Sequence, residues 1–401
     1  MKIVQINVVY QQGSTGRIVE TLHKEYLKRG IDSYVLYGRG PDSDDPRASR
    51  CSFLWEAKLW RFIALFTGNL YGGVPFSTLR IKKMIKKINP DTVHLHCING
   101  NMVNIPSLMK WLQKRGVNTI LTHHAEFMYT GGCGFAMCDK WKTGCEHCPH
   151  KKEIFGKWSI DRSKFNWNRF ADSFKGFPAL INIYVSPWLL SRAAQSPFLK
   201  GMKSEVILNP VDPSVFFYRT LREFPREIEG KDYVFLPISK FGAENKGTDM
   251  VEQIASLLDQ KGFVLAVAGA PRDHVFSSGN IVNLGFVSSP QQMASLYLQA
   301  RCTLIVSKVE SFSMPVAESL CCGTPVVGFQ AGGPESIALP DYSSFIEPGK
   351  IDELVASLIK IAQSSPDRSL ISVQALKAYS ASSSADSYLE KAAESKLGRL
   401  L

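Results

Sequence analysis

Cys302 to Phe329 packs a strand, a loop, a helix and a second strand into one short stretch, and that order limits the fold more than any other feature. Cys302–Ser307 (CTLIVS) is an apolar, β-branched run that reads as a buried strand. Pro315 suits a first helical turn, where its missing N–H is no loss, and Gly323 stops the helix before Thr324–Phe329 supplies the next strand. Two strands joined through a helix in this way run parallel. At the carboxyl edge of a parallel sheet, ligands meet helix N-termini whose unpaired N–H groups suit phosphate. Glu310 falls on the loop and Glu318, eight residues on, about one turn into the helix. A carboxylate repels phosphate but suits sugar hydroxyls, so two acids beside a phosphate seat point to a sugar nucleotide.

The alternation extends through the chain. In the first half, strands are expected at Ile3–Val9, Ser33–Tyr37, Asp91–Cys97, Thr119–His124 and Ala179–Ser186, with helices at Gly16–Arg29 and Met102–Arg115. The pattern restarts after residue 230. Strands are expected at Tyr233–Ser239, Phe263–Gly269 and Ile281–Val287, and helices at Thr248–Lys261, Pro290–Ala300 and Asp352–Gln363. Repeated βαβ units imply a parallel, doubly wound α/β sheet, and two sets of them imply two Rossmann-like domains. We place these at residues 1–203 and 204–374, followed by a polar, helix-forming tail at 375–401.

A hydrophobic content of 45% and a charged content of 21% suit a soluble globular protein. No run of eighteen apolar residues occurs, so no spanning helix is expected. MKIVQINVVY reads as a first strand rather than a secretion signal, and a cytoplasmic location is expected. The net charge of +11 is partly local: within Arg80–Ile88, Ile81, Met84, Ile85 and Ile88 share one helical face and the lysines the other. Two readings stand for this stretch. It is an ordinary solvated face, or it adsorbs to an anionic bilayer with Trp55, Trp60, Phe62, Leu65, Phe66 and Tyr71 as an apolar lip. No nucleic-acid-binding signature accompanies the charge, so nucleic acid is not an expected partner.

Further groups carry chemistry. Gly13 and Gly16 lie between the first strand and first helix, where small residues let backbone approach a phosphate. Lys240 and Lys246 flank the loop after Tyr233–Ser239, and two cations there can neutralise a departing diphosphate. His123 and His124 close the Thr119–His124 strand. Four of the nine cysteines cluster as Cys133, Cys138, Cys145 and Cys148. Structural zinc, reduced buried thiols and a disulfide all remain open for them, the first two favoured in a reducing compartment.

The segment Glu310 to Glu335, with glutamates separated by seven residues and then AGGPE, resembles the signature of family 4 retaining glycosyltransferases of the GT-B fold. Lys240…Lys246-Gly247 and Asn209-Pro210-Val211-Asp212 resemble two further motifs of that family. Cys138–Cys145, with Asp161–Lys164 beyond it, looks like the subset from bacterial capsule and exopolysaccharide pathways. The resemblance covers nearly the whole chain. It implies two Rossmann-like domains facing a central cleft, with the tail helix crossing back to the first domain.

It also implies transfer of a hexose-type sugar from a nucleoside diphosphate to a lipid-linked glycan, with retention and without a catalytic metal cofactor. Glu310 and His124 would orient the sugar, Glu318 would hold the ribose, and Lys240 and Lys246 would hold the diphosphate. Ser311, Phe312, Ser313 and Met314 would line that diphosphate with backbone donors. The family often has glycine at positions 311 and 313, arginine at 240 and aspartate at 125, where this chain has Ser311, Ser313, Lys240 and Ala125. The implied location is the inner face of the plasma membrane. Other readings are a GT-B phosphorylase or nucleotide-sugar epimerase, and a catalytically inactive sugar-nucleotide-binding subunit.

Overall fold

The computed structural model describes residues 1–136, 138–220, 226–239 and 241–397. They form two compact units, one of residues 1–208 with 382 onward and one of Asn209–Ala381, a division a few residues beyond the expected boundaries.

In chain order the first unit contains β1 (Lys2–Asn7), α1 (Gly13–Lys28), β2 (Asp32–Tyr37), β3 (Ala48–Arg50), α2 (Leu54–Thr67), α3 (Pro75–Ile88), β4 (Thr92–Leu95) and α4 (Ile105–Lys114). It continues with β5 (Asn118–His123), α5 (Lys151–Phe155), α6 (Ser163–Phe174), β6 (Leu180–Tyr184), α7 (Pro187–Ala193) and β7 (Ser204–Val206). The second contains β8 (Tyr233–Pro237), α8 (Val251–Asp259), β9 (Val264–Ala268), β10 (Ile281–Gly285), α9 (Pro290–Gln299), β11 (Cys302–Ile305) and α10 (Met314–Cys321). β12 (Val326–Phe329), α11 (Gly333–Ile337), β13 (Ser343–Ile346), α12 (Ile351–Gln363) and α13 (Arg368–Ala378) complete it, and α14 (Ala381–Leu397) ends the chain.

Both sheets are parallel. The first runs β3-β2-β1-β4-β5-β6-β7, the second β10-β9-β8-β11-β12-β13. Each reverses direction beside its own first strand, at β1/β4 and at β8/β11, and such reversals open the crevice where doubly wound folds bind ligands. The strands are apolar because both faces are covered. In the second unit Val234, Leu236, Leu265, Val267, Leu304 and Val327 meet Ile254 and Leu258 of α8 and Leu354 and Leu358 of α12. Burying each such leucine or isoleucine contributes about 1.5–3 kcal/mol.

α2 is among the elements that periodicity missed, with β3, α5, α6, α7, β7 and β13. Its inward Glu56, 1% exposed, accepts hydrogen bonds from the backbone N–H groups of Phe76 and Ser77 at 2.8 and 2.7 Å. The first turn of α3 has no acid of its own, so Glu56 caps that N-terminus from a neighbouring helix. α14 packs in the first unit: Asp386 pairs with Arg29 at 2.8 Å, and the buried Tyr388 hydroxyl lies 3.0 Å from Thr122 Oγ1. Among the described residues no helix is long and apolar enough to cross a membrane.

Candidate active site

In the second unit the site grows from the loop after β11. Glu310 is fixed by its backbone, its N–H donating to the Ala331 carbonyl at 2.9 Å and its carbonyl accepting from Gly333 N–H at 2.8 Å. The turn at 331–332 is held in its own right by Glu335, whose carboxylate accepts from the N–H groups of Ala331 and Gly332 at 2.9 and 2.7 Å. Gly333 is required by contact: a Cβ there would stand 2.3 Å from the Ser311 carbonyl carbon. The Glu310 carboxylate forms an ion pair with Lys246 and accepts from Ser307 Oγ at 3.0 Å. The two paired side chains are only 17% and 19% exposed, so their attraction is screened less than that of a surface pair.

Lys246 reaches this carboxylate because Gly247 lies against the backbone of Val306, just past β11. A Cβ on Gly247, at φ +64°, would meet the Val306 carbonyl oxygen at 1.9 Å. Ser311, Phe312 and Ser313 are buried and lead into α10. Ser313 adopts a left-handed φ of 77°, a conformation that favours glycine. It caps α10 without a side-chain hydrogen bond, and the helix has no acid in its first turn, so its leading N–H groups, beginning at Met314, present positive potential. Glu318 sits one turn further on and accepts from the buried Tyr297 hydroxyl at 3.2 Å. Lys240 lies outside the described residues.

In the first unit Gly13 begins α1, earlier than expected, and Gly16 is buried within its first turn. The N-cap, Gln12, makes no side-chain capping bond and the first turn carries no acid. His124 lies just past β5 rather than in it, and strand alternation separates it from its neighbour. His123 hydrogen-bonds Asn182 Oδ1 at 3.0 Å and stacks on Tyr184 with ring centroids 4.6 Å apart. His124 Nε2 lies instead 3.2 Å from His96 Nδ1, while His96 Nε2 lies 3.2 Å from Gln5 Oε1.

Gln5 Nε2 donates to the Val19 carbonyl at 3.4 Å, which can only accept. The chain of donors then follows: the Gln5 oxygen faces His96, His96 donates from Nε2, and His124 donates from Nε2 to His96 Nδ1. Burial is the main cause holding these rings neutral; neighbouring histidines add to it at His94, His96 and His124, while the Asn182 hydrogen bond opposes it at His123. The net effect moves His94 and His124 down to about 3 and His123 to about 4, and holds His96 well below its usual value.

Cys133, Cys138, Cys145 and Cys148 line one cavity of about 50 Å³ together with Trp141 and His150. All are free thiols, and burial pushes those of Cys133 and Cys145 up to about 12. Zinc needs sulfurs about 2.3 Å from a common centre. Among the described residues no group of three or more His, Cys, Asp or Glu side chains stands so as to hold a metal. Ser307 and Tyr297 escaped sequence reasoning. Ser307 ends an apolar run that read only as strand, and Tyr297 sat in a helix that read only as packing.

Residues 15–215 match the family described as Glycosyltransferase Family 4, and residues 219–377 match Glycosyl transferases group 1. The chain is similar to the putative colanic acid biosynthesis glycosyl transferase WcaC of Escherichia coli, 23% identical over 375 residues, which span 88% of this chain and 89% of the relative. Among solved structures, sucrose-phosphate synthase from Thermosynechococcus elongatus aligns with a TM-score of 0.65 at 14% identity, over 100% of this chain and 98% of that one. HepE from Anabaena, in complex with UDP-glucose, aligns with a TM-score of 0.59 at 14% identity, over 98% and 100%. At these identities the structural likeness speaks for the fold alone.

Proposed function

Because the chain belongs to glycosyltransferase family 4 and has the GT-B fold, we propose that it moves a hexose-type sugar from a nucleoside diphosphate to a hydroxyl of a lipid-linked glycan, retaining configuration, in bacterial surface polysaccharide synthesis. The observation that carries this reading is the partly buried Lys246–Glu310 pair beside the uncapped N-terminus of α10, at the reversal of the second sheet. A cation and helix N–H groups stabilise the charge that grows on a leaving diphosphate, and a carboxylate held by Ser307 orients sugar hydroxyls. Ser311–Met314 line the diphosphate, Glu318 holds the ribose, and Gly13 and Gly16 keep the start of α1 open to ligand. Lys240 adds a second cation, and His124 orients the sugar. The similarity to WcaC supports a surface polysaccharide as the product.

UDP-, GDP- and ADP-sugars distinguish this reading from an inert subunit. At least one should raise Tm and be hydrolysed slowly, with Glu310→Ala losing about 10²-fold or more in turnover. No stabilisation by any of the three, or unchanged turnover in the variant, would sink it. The protein is proposed to work as a peripheral protein on the anionic inner face of the membrane, through the α2–α3 face. We also propose that Cys133, Cys138, Cys145 and Cys148, which share one cavity, bind structural zinc. Metal analysis of untagged protein should find one equivalent, and less than about a tenth would end that idea.

A further inference from the structure

A second cavity, of about 190 Å³, lies at the carboxyl edge of the first unit's sheet and is lined by Arg39, Lys58 and Arg61, with no carboxylate among its lining residues. Its apolar lining includes Leu54, Ala57 and Met102. Arg39 follows β2 and lies over Gly100, where a Cβ would stand 3.7 Å from its Nη1. Among the described residues none of the three cations makes an ion pair. Three uncompensated cations around one concavity repel each other, and a polyanion relieves that repulsion. Two of them are arginines, whose forked guanidinium matches phosphate oxygens.

The same helix supplies what a purely phosphate-binding site would not need. Along α2, Leu54, Ala57, Lys58 and Arg61 recur at helical spacing and form the stripe that lines the cavity. Trp55, Leu59, Phe62 and Phe66 recur at the same spacing on the adjoining stripe and face water, Trp55 at 56% and Phe62 at 60% exposure. Glu56 and Ala64 are the residues turned inward and buried, so the helix is anchored by one face and presents two others. An apolar stripe flanking a cationic pocket is complementary to a molecule with an anionic group joined to a hydrocarbon chain.

We propose that this pocket takes the phosphate or diphosphate group of the lipid-linked acceptor, with the start of its hydrocarbon chain lying along the aromatic stripe of α2. This rests on the acceptor reading given above and assigns it a site. The test uses the full chain without donor and compares farnesyl diphosphate, inorganic pyrophosphate and farnesol by calorimetry. Farnesyl diphosphate should bind at least tenfold more tightly than either pyrophosphate or farnesol. The paired substitution Lys58→Gln with Arg61→Gln should weaken farnesyl diphosphate at least tenfold. Phe62→Ser with Phe66→Ser should weaken it too while leaving pyrophosphate unchanged.

Equal affinity for pyrophosphate and farnesyl diphosphate would overturn the acceptor assignment in favour of free phosphate. Equal binding by wild type and the Lys58/Arg61 variant would overturn the site itself. Thermal stabilisation by a nucleoside diphosphate should survive all four substitutions. Its absence in wild type would instead sink the donor reading while leaving this one standing.

Discussion

Single residues show how tightly the two sites are specified. Glu310 is held by its own backbone, by Lys246 and by Ser307. The identity of the acid was plain in the sequence, but the partners that aim it were not. The histidines make the same point more sharply. In the folded state His94, His123 and His124 ionise only near pH 3 to 4, because burial disfavours the charged ring. Unfolded, they would take up protons near pH 6.5. Between those values the unfolded chain binds more protons, so stability is full above about pH 6.5 and drains as pH falls. Each ring removes roughly 1.4 kcal/mol per pH unit across that window. Thermal melts should therefore show Tm dropping steeply from pH 6.5 to 4, and His123→Gln should flatten the slope by about one proton. A Tm independent of pH in that range would contradict the buried, neutral assignment.

At the scale of elements, βα alternation was legible because an apolar strand and an amphipathic helix leave different periods in sequence. Most expected strands and helices appear within a few residues, and the shifts have local causes. α4 starts at Ile105 because Asn104 caps it, its side chain accepting from Ser107 N–H at 3.1 Å, and Pro106 follows. α2 was not legible as a helix, since its outward face is as apolar as its inward one and no amphipathic pattern results. Of the aromatic lip read from sequence, Trp55, Phe62, Leu65 and Phe66 are exposed. Trp60 is instead packed against Gly73, and Tyr71 against Phe127 and Phe170. The α2–α3 face should bind vesicles containing phosphatidylglycerol and release them as salt rises. Phe62→Ser with Phe66→Ser should cut that binding at least tenfold, and sedimentation with neutral vesicles should recover little protein.

For the whole molecule, chain order and spatial order diverge, and that divergence separates what the sequence determined from what the tertiary structure decided. The sequence alone determined two parallel α/β units, the strand–loop–helix that bears Glu310 and Glu318, and the family. Those properties depend on residues near one another along the chain: periodicity, a proline and glycine at helix ends, acids at fixed spacing. Tertiary structure decided that Lys246 pairs with Glu310, 64 positions away, and that Tyr388 of α14 lies against Thr122, 266 positions away. It also decided that His124 rather than His123 joins the His96–Gln5 chain, and that Arg39 shares a cavity with Lys58 and Arg61. Sheet order sets these meetings. β1 beside β4 and β8 beside β11 bring distant loop ends to one edge, and no local pattern in the sequence records which strands will be neighbours.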